Sequence, residues 1–130
     1  MNPTPRKITT PIFPSTALTV DDTTTNGVEV DCMAYSKFLL SYRLTETGTL
    51  VDGDRLRLQV QFREAGGTWH DYTNGPFGAL FEEESTTPCN ICVSGDCVGE
   101  KIWITATTDY TNATPASNYF TLVADITLMV

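Results

Sequence analysis

The chain has a single histidine, no long apolar run and no sustained helical pattern, and each lack removes a class of answer. With His70 as the only imidazole and no Gly-x-Ser-x-Gly elbow, a serine-type catalytic triad has no recognisable seat. No stretch reaches the length that a membrane-crossing helix needs. After Met1-Asn2-Pro3-Thr4-Pro5-Arg6-Lys7 no apolar signal-peptide core follows, so synthesis in the cytoplasm is expected. No window places apolar residues at i, i+3, i+4 and i+7, which removes helical crossovers and with them a parallel α/β sheet. Basic residues are also scarce, 8 Lys and Arg against 16 Asp and Glu, for a formal net charge of −8. Such a chain repels phosphate backbones, so neither nucleic acid nor membrane is an expected partner.

What is present is alternation. In the stretch that begins at Arg55, Leu56, Leu58, Val60 and Phe62 fall on one face and Arg55, Arg57, Gln59, Gln61 and Arg63 on the other. That period of two marks a strand with one buried and one wet face. Further strands are predicted over residues 16–20, 28–33, 36–44, 68–72, 101–108 and 119–130, with Gly, Pro and Asn in the gaps. Abundant Thr, with Val, Ile, Tyr and Phe, suits a pleated, half-buried surface. The 130 residues fit one domain. The expected fold class is all-β, an antiparallel β-sandwich of jelly-roll or immunoglobulin-like type, formed by residues 16–130.

Residues 1–15 carry Pro3, Pro5, Pro11 and Pro14 and read as an extended arm. Ile8, Ile12 and Phe13 give it apolar anchors, either for a neighbouring subunit or for its own domain as an edge strand. On the first alternative, deleting residues 1–15 leaves the domain folded and abolishes docking. The apolar residues Phe38, Leu40, Tyr42 and Leu44 share the even parity of Leu56, Leu58, Val60 and Phe62. A hairpin through the 45–53 loop is therefore expected to bury both sets together. It would gather Lys37, Arg43, Arg55, Arg57 and Arg63 into one basic stripe, either a docking face for an acidic partner or a solvated face balanced by carboxylates.

Few residues invite chemistry. Glu82-Glu83-Glu84 reads as a solvated loop and Asp52-Gly53-Asp54 as a turn, and neither has the ordered oxygen donors of a calcium loop. Cys89 and Cys92 form a C-x-x-C spacing, followed by Cys97, with Cys32 far upstream. The expectation is a disulfide or mixed thiol set, with Cys97 bridged to Cys89 or Cys92 and Cys32 crossing the sandwich. A four-sulfur zinc site ranks second, since the second knuckle is missing. Asn112-Ala113-Thr114 is a glycosylation triplet, followed by Pro115. No catalytic residue and no cofactor are expected.

Glu64-Ala65-Gly66-Gly67-Thr68-Trp69 resembles a degenerate Asp-box turn, with Glu64 in the place of Asp and no Ser before it. The resemblance implies a structural hairpin turn. In overall plan, a small acidic Thr-rich β domain with a Pro-studded arm, the chain resembles the capsid decoration (cement) proteins of tailed phages. That resemblance implies a non-enzymatic protein of the virion. It would be a homo-oligomer, a trimer by preference, that clamps the major capsid protein. The apolar end Ile126-Thr127-Leu128-Met129-Val130, which needs cover, fits the plan. The rival reading is a carbohydrate- or receptor-binding module in which Trp69, Tyr72, Trp103 or Tyr110 forms a flat aromatic platform.

Overall fold

A computed structural model describes residues 6–72 and 89–130. Two antiparallel sheets face each other. In chain order the strands are β1 (Lys7–Leu18), β2 (Thr24–Asn26), β3 (Val30–Asp31), β4 (Lys37–Thr47), β5 (Arg55–Arg63), β6 (His70–Asp71), β7 (Cys89–Asp96), β8 (Lys101–Asp109) and β9 (Tyr119–Met129). One sheet has the order β1-β9-β4-β7; the other runs β2-β8-β5-β6, with β3 also paired to β8. The described residues contain no helix. The expected all-β antiparallel sandwich is the observed architecture. The Glu82-Glu83-Glu84 run lies outside the described residues.

Period-two patterning builds the core. Phe120, Leu122, Ala124, Ile126 and Leu128 of β9 are buried against Ile102, Ile104 and Ala106 of β8 and the even-numbered residues of β4 and β5. Phe38, Phe62 and Tyr72 meet edge to face or tilted, with ring centroids 5.5–5.8 Å apart. That aromatic trio leaves no room on β7: a Cβ at Gly95 would sit 2.7 Å from Tyr72 Oη and 2.8 Å from Phe38 Cε1. At the opposite end the buried Tyr110 hydroxyl donates to Leu18 O at 2.6 Å and accepts from Phe120 N at 2.9 Å.

The even-parity faces of β4 and β5 do share a core, but not as a hairpin. β4 pairs with β9 and β7, while β5 pairs with β8 and β6. The two strands belong to different sheets and pack face to face. Alternation specifies which side of a strand is buried, and two strands bury their apolar sides equally well side by side or across a sandwich. The connection over residues 48–54 is therefore a crossing between sheets. Gly48 turns it at a φ of +73°, and a Cβ there would collide with Ser117 O.

The N-terminal segment is extended and paired. β1 runs antiparallel to β9, with Lys7 opposite Met129 and Leu18 opposite Phe120. Register shifts fall between Pro11 and Phe13 and between Phe13 and Thr16. Such bulges let the consecutive residues Ile12 and Phe13 both point inward, where they are 0% and 2% exposed. Pro11 and Pro14, which lack a donor, sit on this outermost strand, where the sheet asks least of them. The expected boundary at residue 15 thus falls inside a strand.

Candidate functional site

The split of β4 and β5 between sheets also splits the expected basic stripe. Lys37 and Arg43 lie on the outer face of the four-stranded sheet, and Arg55, Arg57 and Arg63 on the outer face of the five-stranded one. The five cations point in two opposite directions. Lys37 pairs with Asp96 at 2.9 Å, which raises the ammonium pKa by hydrogen bonding and charge. Arg43 lines an open hollow of about 500 Å³ with Ser41, Asn90, Cys92, Val123 and Asp125. On the other side Arg55 and Arg57 share a hollow of about 230 Å³ with Asp22 and Asp109. Arg63 binds Glu29 at 2.6 Å and lies over the Trp69 ring, 5.1 Å from its centroid.

Of the three apolar anchors of the arm, Ile12 and Phe13 hold β1 to its own domain, and Ile8 remains exposed, at 41%. Ile8 has company. The N-terminal end of β1, the C-terminal end of β9 and the loops after β3 and β7 meet at one end of the sandwich. They are joined by Val130 N to Arg6 O at 3.0 Å, Ser36 N to Met129 O at 2.9 Å and Cys97 N to Ser36 O at 2.8 Å. Met33, Val98 and Val130 project there, each at least 60% exposed. The sequence pattern singles out neither Met33 nor Val98: Met33 ends the expected 28–33 strand, and Val98, a lone apolar residue in a turn, carries no period. Their signal is the turn itself: an apolar side chain beside Asp31 or Asp96-Cys97, where polar residues are expected.

The four cysteines do not gather at one point, and Cys32, Cys92 and Cys97 are free thiols. β7 places Cys89 on its inner face and Cys92 on its outer face, where Cys92 Sγ lies 3.6 Å from Ser41 Oγ. A C-x-x-C spacing converges two sulfurs when the chain turns; along a strand it sends them to opposite sides. The four-sulfur zinc site and the staples from Cys97 to Cys89 or Cys92 therefore lose their geometry. Among the described residues no group of three His, Cys, Asp or Glu side chains converges. Cys97 instead packs against the core to which Cys32 belongs, near enough for each thiol to shift the pKa of the other.

His70 stands exposed on β6 at the sheet rim. With Glu64 and Asp71 it borders an open dent of about 100 Å³ whose other walls, Phe62, Arg63, Val98 and Gly99, offer no hydroxyl or thiol nucleophile. Asp54, expected as a turn residue, is fully buried and takes hydrogen bonds from Val51 N, Thr111 N, Asn112 N and Asn112 Nδ2 at 2.6–3.0 Å. Its carboxylate is saturated by the protein. Of the four proposed platform aromatics, Tyr72 and Tyr110 are buried. Trp69 and Trp103 stack on each other, 4.1 Å between centroids and 8° from parallel. Trp103 Nε1 donates to Gln61 Oε1 at 2.8 Å, which fixes the pair against β5.

No family model matches the sequence, and no curated protein matches it either. Solved structures do match by shape. The VP2 subviral particle of infectious bursal disease virus gives a TM-score of 0.59 at 11% identity, covering 96% of this chain and 32% of that one. The Gx strain of the same virus gives 0.58 at 9% identity, covering 97% and 33%. The chain spans about a third of the length of the chains it matches. At such identities the likeness is one of fold, and it covers nearly the whole of this β-sandwich.

Proposed function

We propose that this chain is a non-enzymatic structural protein of a virus particle, and specifically a decoration protein that oligomerises and holds neighbouring major capsid subunits together. The observation that carries the reading is the superposition of almost the entire domain on proteins of a viral particle. The contact surface that best suits it is the end bearing Ile8, Met33, Val98 and Val130, with polar side chains of an outer sheet face around it. Modest contacts repeated over a lattice add up through avidity, so each copy needs only a small patch. The test is sedimentation of the purified protein, alone and with capsid shells of its own virus. A trimer that co-sediments is expected, and Met33→Asp with Val98→Asp should weaken shell binding by about tenfold or more. A monomer that stays in the supernatant would overturn the reading.

The stacked Trp69 and Trp103, half-buried on the five-stranded sheet, favour a second reading as a glycan- or receptor-binding module. A glycan array separates the two: saturable hits lost in Trp69→Ala support the module, and a blank array supports the particle protein.

A further inference from the structure

Cys32 lies in the loop that carries the chain from β3 in one sheet to β4 in the other, and Cys97 directly follows β7 at the edge of the four-stranded sheet. Cys32 belongs to the buried core and Cys97 packs against that core, on segments bonded to each other through the backbone. The backbone on both sides holds them there: Cys32 N donates to Glu100 O at 2.8 Å and Cys97 N to Ser36 O at 2.8 Å. Cys32 Sγ is also 3.2 Å from Gly99 O. The two thiols differ in access. Cys32 is fully buried, whereas Cys97 is half-buried and reachable from solvent.

We infer that Cys32 and Cys97 are a disulfide-forming pair set by the thiol–disulfide balance of the surroundings, with Cys97 as the attacking thiol and Cys32 as the resolving one. A small disulfide such as oxidised glutathione is the oxidant. The Cys97 thiolate attacks one sulfur of it, forming a mixed disulfide and expelling one glutathione thiolate. Cys32 then loses its proton and attacks the Cys97 sulfur, expelling the second. Two protein thiols are oxidised, one glutathione disulfide is reduced, and the two protons end on the two glutathione thiols.

The hydrogen bond from Cys32 holds the Cys97 thiol below its ordinary value, which favours the attacking thiolate. The same contact, followed by burial, raises Cys32. Capping Cys97 as a mixed disulfide removes the first of these causes and frees Cys32 to act. The bond would tie one sheet to the other just beneath the exposed Met33 and Val98, closing a loop of about half the chain. The loop-closure entropy of such a cross-link corresponds to a rise in Tm of roughly 15 °C. This inference holds whether or not the chain belongs to a virus particle.

The experiment equilibrates the full chain in glutathione buffers of graded oxidation, alkylates remaining thiols, and maps peptides by mass spectrometry. A linked peptide pair containing Cys32 and Cys97 is expected at the oxidised end, with Cys92 alkylated and Tm raised by that amount. Cys97→Ser should lose the rise and Cys92→Ser should keep it. Should Cys97→Ser fold poorly, the wild-type peptide map decides. Four alkylated thiols at the oxidised end, or Cys97 linked to Cys89 or Cys92, would overturn the inference.

Discussion

Asp54 shows how much one side chain can hold. Burial alone would raise its pKa, but the donors from Val51, Asn112 and Thr111 outweigh burial and leave the carboxyl below its ordinary 3.8. The folded state therefore binds this proton less readily than the unfolded state does. Its contribution is complete above the ordinary value and is lost as pH falls through the lower folded one. Urea unfolding is expected to show stability falling as pH drops through the ordinary carboxylate value and below it, with a smaller fall in Asp54→Asn. At neutral pH Asp54→Ala should cost about 3 kcal/mol, because several buried donors lose their acceptor together. A variant with wild-type stability at pH 7 would rule out this role. The sequence made Asp54 legible only as a turn residue: Asp-Gly-Asp says that the chain bends, not that residues 111 and 112 come back to meet it.

At the scale of elements, strands with strict alternation were readable and strands built from irregular sequence were not. β4, β5, β8 and β9 fall close to their expected limits because each has one clean apolar face. β2 lies in a run of Asp, Thr and Asn that reads as a turn, and only its pairing with β8 makes it a strand. β1 is hidden by its prolines and by bulges that break the period. Its burial changes what an N-terminal deletion should do. Removing residues 1–15 takes Ile12 and Phe13 out of the core and uncovers much of β9, so the truncated protein is expected to lose its cooperative thermal transition. Ile12→Ala alone should cost about 3 kcal/mol. A truncated chain that melts at the wild-type temperature would return residues 1–15 to the status of a detachable arm.

For the whole molecule, the main lesson concerns the two outer faces. Parity placed the cations correctly on the wet sides of β4 and β5, but which sheet each strand joins is a long-range choice that parity cannot express. Lys37 and Arg43 consequently face away from Arg55 and Arg57. Charge reversal of one pair and of the other should act independently on shell binding, the combined loss equalling the product of the two within about twofold. Coupling well beyond that, read from co-sedimentation over a range of salt, would mean that one partner reaches round both faces. The end that joins residues 6 and 130 carries a different consequence. Because Val130 N bonds Arg6 O and β1 lies along β9, a host polypeptide could enter and leave the domain through one narrow doorway. The sandwich is thereby suited to being carried as an insertion in a larger chain. The loops over 48–54 and 110–118, at the far end and tied to each other through Asp54, would then be the part held out to the surroundings.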